Sequence, residues 1–318
     1  MNFSLSTLGR TGLRVSALAL GTVEIGLPYG IATPAHGGRP GEQEAIRLIH
    51  TALDAGINLI DTARDYGMSE TILGQALHQR RTQAILATKV NLLPAAVQQL
   101  SSRQLKRQML DTLDLSLREL QTDYVDVWQI HNVTEELLER AEEVADAFSA
   151  AQRAGKIRWT GGSFYGAALP LLALDRDLFD VMQVTYSVLD RRIEEQVLPR
   201  AQQQNVGIVV RSVLLKGVLT ARADHLPARL HALTAASQRF RRIIAEAGLA
   251  ASAAQVAVAF ALAQPQISTV LVGMSSLAEL EDNLRAATLQ LPPAVLEQFD
   301  ALELSDETLL NPSTWDIP

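Results

Sequence analysis

Four ionisable side chains stand at comparable places in this sequence. Asp61 closes the apolar run 57–60, Lys89 closes 84–88 and His131 closes 123–130, while Tyr66 follows Asp61 by five residues. If those runs are adjacent parallel strands, roughly 5 Å apart, their matching ends bring the four side chains to one corner. That grouping suits reduction of a carbonyl. A free tyrosine titrates near about 10, too high for easy proton exchange at neutrality. A lysine ammonium beside it is expected to favour the phenolate and lower that value. An aspartate paired to the lysine holds it in place and offsets the burial of its charge. A histidine can donate a hydrogen bond to a substrate oxygen. Each residue alone has an ordinary reading, as a turn cap, a solvated strand end or a satisfied polar group. Repetition at three successive strand ends is what points to a site.

The elements that must position them follow from the apolar pattern. A hairpin is expected over 3–14, with Gly9 and Gly12 near its turn. Strands are predicted at 15–20, 57–61, 84–89, 123–131, 157–163, 181–186, 207–212 and 268–273. Helices are predicted at 42–55, 69–79 with Ser69 as cap, 102–119, 134–154, 236–248 and 252–264, with two more closing the chain. Leu110, Leu113, Leu117 and Leu120 should share one face of the helix over 102–119. Strict alternation along 123–131 should turn Trp128 and Ile130 toward the outer helices. Strand–helix alternation repeated eight times predicts an α/β protein, a (β/α)8 TIM barrel, as one domain over 1–318. A doubly wound open sheet would show GxGxxG after its first strand, and Gly21-Thr22-Val23 does not continue that way.

Composition narrows the partners. The formal charge is −7 with no long basic run, which speaks against nucleic acid and anionic membranes. There is no cysteine, so disulfides, thiolate metal sites and a cysteine nucleophile are excluded. The six histidines, at 36, 50, 78, 131, 225 and 231, form no HxH or HExxH pattern, and no metal is expected. The start MNFSLSTLGR has no apolar core, so no secretory signal is expected and a cytoplasmic location is the expectation.

The stretches 61–70, 88–90 and 129–131, with the opening 8–22, resemble the aldo-keto reductase superfamily, and the likeness runs from residue 5 to about 290. The resemblance implies a barrel whose floor is closed by the N-terminal hairpin, with an extra C-terminal helix. It implies Tyr66 as general acid, Lys89 and Asp61 as its tuning pair, and His131 as the group that orients the carbonyl. It places a nicotinamide cofactor along Gly21, Thr22, Asp61, Ser163, Gln183 and Tyr186, the last stacking on the nicotinamide. Phe164 stands where an asparagine is usual. The segment 211–217, with Arg211, Ser212, Val213, Leu214, Lys216 and Gly217, would wrap the pyrophosphate, although Val213 replaces a common proline. Gly273, Ser275, Ser276, Glu279, Asp282 and Asn283 would hold the adenosine end. Tyr29 and Trp315 would border the substrate mouth, and packing alone explains either equally well.

The expected activity is hydride transfer between NADPH and an aldehyde, ketone or sugar. The serines and Lys216 favour NADP, and Glu279 leaves NAD as an alternative because a carboxylate repels a 2′-phosphate. Three rivals stand beside it: a sugar dehydrogenase working in the oxidising direction, a cofactor-binding regulatory subunit of slow turnover, and a barrel hydrolase or isomerase. Substrate identity lies in the loops 22–40 and 214–236 and in the tail.

Overall fold

The computed structural model describes residues 5–33 and 38–317. Residues 3–4 of the expected hairpin and His36 of the first loop lie outside them. Strands β1 (Leu5–Thr7) and β2 (Arg14–Ser16) pair antiparallel as the hairpin. Eight parallel strands then close into a barrel: β3 (Leu18–Gly21), β4 (Leu59–Asp61), β5 (Ile85–Val90), β6 (Val125–Ile130), β7 (Ile157–Phe164), β8 (Val181–Thr185), β9 (Gly207–Arg211) and β10 (Thr269–Gly273). β10 pairs with β3 to complete the ring.

The predicted strand 15–20 is in fact two. The chain leaves the hairpin after Ser16 and enters the barrel at Leu18. Ser16 makes the break: its N–H donates to Asn58 Oδ1 at 2.8 Å, and its hydroxyl donates to the Leu18 carbonyl at 2.6 Å while accepting from the Asn58 N–H at 3.0 Å. Polar bonds of this kind compete with a continuous ladder. The hairpin closes the barrel floor. Leu8 and Val15 pack under Ala19, Leu59, Ala87, Val127, Val181, Val209 and Leu271, which point inward from seven strands. Gly9 is required there, because at φ 49 a Cβ would lie 2.2 Å from the Gly207 nitrogen.

The outer helices bury one stripe each. Helix Glu42–Asp54 buries Ala45, Leu48, Ile49, Ala52 and Leu53, the spacing of a single helical face. Helix Ser102–Glu119 buries Leu105, Met109, Leu113 and Leu117, with Leu110 on the shoulder. Ser101 and Ser252 start their helices by accepting from the N–H three residues on, worth about 1 kcal/mol each. Ser69 is not such a cap. It is already helical in Ser69–Leu77, and its hydroxyl is spent on two threonines. The helix expected over 134–154 breaks at Arg140 into Glu135–Glu139 and Ala141–Arg153. The helix expected from 236 begins earlier, at His231. Trp128 is fully buried and meets Phe148 edge-on on the helix outside, as alternation requires. Among the described residues, no helix is long and apolar enough to cross a membrane.

Candidate active site

One inward step above the apolar floor, at the position two residues further along each strand, the barrel turns polar. Leu59 is followed by Asp61, Ala87 by Lys89, Val127 by Gln129, Val181 by Gln183 and Val209 by Arg211. β7 contributes Ser163 to the same level, where Arg211 Nε donates to its hydroxyl at 3.2 Å. Period-two alternation alone sets this ring.

Its centre is Asp61. Lys89 Nζ donates to Oδ2, while Gln129 and Gln183 donate their amides to Oδ1 at 3.0 and 2.9 Å. Lys89 also donates to the Thr62 carbonyl at 3.0 Å, and its side chain is fully buried. Gln129 was not among the expected site residues. Its Oε1 is buried with no hydrogen-bond partner among the described residues, and Gly161 has no side chain because a Cβ would meet the Gln129 Cγ at 2.7 Å.

Tyr66 is carried on the turn between β4 and the helix Ser69–Leu77. A relay of hydroxyls fixes that turn: Thr62 with Ser69 at 2.8 Å, Ser69 to Thr22 at 2.6 Å, and Thr22 to the Asp61 carbonyl at 2.9 Å. Glu70, buried behind it, accepts from Arg64 at 2.8 Å and from Thr88 at 2.6 Å. The Tyr66 ring lies 5.0 Å from Lys89 Nζ and meets the His131 ring edge-on at 5.4 Å. The three residues read from strand ends and Tyr66 therefore converge.

The electrostatics differ from expectation. The Tyr66 phenol is pushed above its usual value, first by burial and then by the Asp61 carboxylate, with Arg211 opposing. Lys89, paired to Asp61, does not reverse that direction. Burial also pulls Lys89 below its usual value against the opposing pull of Asp61. His131 is lowered chiefly by burial, which favours a neutral imidazole. Its Nδ1 lies 3.6 Å from Asp65 Oδ2, beyond hydrogen-bond length. At neutral pH the arrangement presents a protonated phenol beside a neutral imidazole.

Where the ring meets β3 and β10 it has no side chains. Gly21 and Gly273 are register partners, and a Cβ on Gly21 would lie 3.3 Å from the Gly273 nitrogen. The space above Gly273 is instead taken by Glu24, whose Oε1 lies 2.1 Å from where a Cβ would be. Glu24 Oε2 is buried without a hydrogen-bond partner among the described residues, and burial pushes this carboxyl from 4.5 up to about 7. The loop after β9 is strained: Ser212, Leu215 and Lys216 are left-handed, with φ of 61, 45 and 57. Gly217 follows with φ 100, while Val213 is buried and Leu214 packs against the core. A slot floored by two glycines, with Glu24 as its movable occupant, beside a strained loop and a polar ring fits an extended dinucleotide.

Beyond Gly273, Ser276 caps the helix Leu277–Ala286. Glu279 Oε2 accepts from the Ser275 N–H at 2.8 Å and hydroxyl at 3.0 Å, and Oε1 pairs with Arg222 at 2.7 Å. Asn283 is buried, and Asp282 is held by Gln255 and Arg285 at 3.2 and 2.6 Å.

Three expected site residues sit elsewhere. Tyr186 is an odd number of residues from the inward Gln183 and so faces out, stacked on Phe260 with its hydroxyl donating to Glu194 at 2.5 Å. Trp315 is buried, its indole donating to the Thr308 carbonyl at 3.2 Å. Lys216 donates to the Ile317 carbonyl at 2.8 Å, tying down the tail. Tyr29 remains at the surface, 41% exposed, with Lys216 Nζ 5.0 Å from its ring. Arg211 stacks over Tyr165 at 4.2 Å.

Known proteins share this architecture. The uncharacterised oxidoreductase YrpG of Bacillus subtilis is 31% identical, over 92% of this chain and 94% of its own length. The NADH-specific methylglyoxal reductase of Escherichia coli is 29% identical, over 93% and 98%. The holo structure of the aldo-keto reductase AKR11C1 from Bacillus halodurans superposes with a TM-score of 0.75 at 28% identity, covering 96% of this chain and 98% of that one. The sequence profile of the Aldo/keto reductase family matches residues 17–304. That span takes in every barrel strand and all four converging side chains, and the chain belongs to the aldo/keto reductase family.

Proposed function

We propose that this chain reduces aldehydes, ketones or sugars with NADPH, Tyr66 giving the proton. The observation that carries the reading is the convergence of Tyr66, Lys89, Asp61 and His131 at one side of the polar ring, next to the slot floored by Gly21 and Gly273. A bound nicotinamide dinucleotide supplies the hydride. Ser163 and Arg211 line the ring where the carboxamide would be held, together with Gln183 once its amide is shared with Asp61.

The protein's own part is proton delivery. As the substrate carbon gains the hydride, its oxygen takes the Tyr66 phenolic proton and the C=O becomes C–OH. The phenol's raised value keeps that proton in place until negative charge develops on the oxygen. The phenolate left behind has the Lys89 ammonium 5.0 Å from its ring and is reprotonated from solvent. His131 donates its single ring proton to the same oxygen and orients the carbonyl. NADPH is favoured over NADH because the Glu279 carboxylate, the main objection to a 2′-phosphate, is already met by Arg222 and Ser275.

The test is loss of reduced-nicotinamide absorbance with a panel of aldehydes, ketones and sugars that includes methylglyoxal. Tyr66→Phe is expected to lower kcat by about 10²–10⁴-fold with cofactor Kd nearly unchanged. A variant keeping more than about a tenth of wild-type kcat removes Tyr66 from the role.

A further inference from the structure

A cleft of about 400 Å³ opens beside the slot over Gly273 and is lined by Arg39, Glu44, Arg47, Ser275, Ser276 and Leu277. Its walls come from parts of the chain far apart in sequence: the loop after β3, the helix Glu42–Asp54 and the start of the helix Leu277–Ala286. Ser275 lies two residues beyond Gly273. A ligand leaving the polar ring over the glycine pair therefore reaches this cleft next.

The charge balance of the cleft is uneven. Arg39 and Arg47 are exposed, and neither guanidinium has an ion-pair partner among the described residues. The two acidic neighbours are engaged. Glu44 Oε2 accepts from the Gly41 N–H at 3.1 Å, and Glu279 is held by Ser275 and Arg222. Ser276 Oγ accepts from the Glu279 N–H at 3.2 Å, which leaves its own proton to donate. Two guanidinium forks and a free hydroxyl donor around a space of this size suit a dianionic phosphate monoester on a bulkier body.

We propose that Arg39 and Arg47, with the Ser276 hydroxyl, grip the 2′-phosphate of the dinucleotide's adenosine end, so that cofactor choice is made from the β3 side of the barrel. The inference rests on the reading of the polar ring and glycine slot as a dinucleotide site. Both arginines are exposed, so their removal leaves the core intact.

The test is direct binding, by quenching of tryptophan fluorescence, of NADPH, NADH and adenosine 2′,5′-bisphosphate to wild type and to Arg39→Ala/Arg47→Ala. The double variant is expected to bind NADPH and the bisphosphate about tenfold or more weakly, with NADH within about twofold. The salt dependence of NADPH binding should flatten with it. Equal losses for NADPH and NADH, or no loss for NADPH, overturn the assignment. If the variant instead keeps its NADPH affinity but shows a raised KM for a phosphorylated sugar, the phosphate belongs to the substrate and the assignment fails. A wild type that binds neither dinucleotide overturns the underlying reading, an outcome distinct from unchanged selectivity.

Discussion

Replacing Glu24 with glutamine is expected to stabilise the protein at alkaline pH and to change little in acid. Glu24 sits over Gly273 with Oε2 buried and unpartnered among the described residues. Glu279 acts on it with a like charge, and Arg222, the cation that opposes this, is already paired with Glu279 at 2.7 Å. Burial raises its folded value to about 7 from 4.5, so the folded state holds the proton more tightly than the unfolded chain. The contribution to stability is then largest below 4.5 and is lost as pH rises through about 7. At about 1.4 kcal/mol per pH unit, the displacement from 4.5 to about 7 becomes a penalty of about 3 kcal/mol at full ionisation. The side chain keeps some solvent contact, which roughly halves it. Urea unfolding of wild type and Glu24→Gln at about pH 5 and about pH 8.5 reads this out. The variant should be more stable by about 1–3 kcal/mol at the higher pH and within about 0.5 kcal/mol at the lower. Parallel pH dependences in the two proteins would show that Glu24 does not titrate in this window and that the slot is wetter than described.

Lys89→Met leaves the Asp61 carboxylate buried with only its two amide donors, and should cost about 3–5 kcal/mol in urea unfolding as well as most of kcat. Combining it with Asp61→Leu should recover much of the stability and none of the activity; a single-variant cost under about 1 kcal/mol would refute the buried pair. Gly273→Ala should cost about 1–3 kcal/mol, because its Cβ falls on the Glu24 carboxylate. Adding Glu24→Ala should restore most of that loss, and additive costs would show that some other group demands the glycine.

Part of the site could be read from the sequence because a barrel converts strand ends into neighbours. Asp61, Lys89 and His131 each end an apolar run, and no contact information is needed to bring them together. Trp128 was placed outward by the same alternation. Tyr186 was misplaced for want of it: counting from the inward Gln183 turns residue 186 to the outside, where it stacks on Phe260. Applied to every strand, the count also yields Gln129, two residues beyond inward Val127. The break at Ser16 and the spent hydroxyl of Ser69 depend on partners at Asn58 and Thr22, distant in sequence, so spacing could not show them.

The sign of the Tyr66 shift was out of reach for a different reason. Proximity of an ammonium lowers a phenol's value on balance only if its pull outweighs both the phenol's burial and the charge of the ammonium's own partner. Here the partner of Lys89 and the burial of Tyr66 both act the other way. An acid built like this holds its proton until the substrate oxygen becomes a better base than the surrounding water. The glycine slot extends the same logic to binding. A ligand that fills the space over Gly273 must displace Glu24, and the carboxyl's value of about 7 makes that displacement easier once it has lost its proton, because burial penalises only the charged form. Dinucleotide affinity should therefore strengthen as pH rises through about 7 in the wild type and not in Glu24→Gln. Fluorescence titrations across that range decide it: equal pH dependence in the two proteins would mean that Glu24 leaves the slot without regard to its charge.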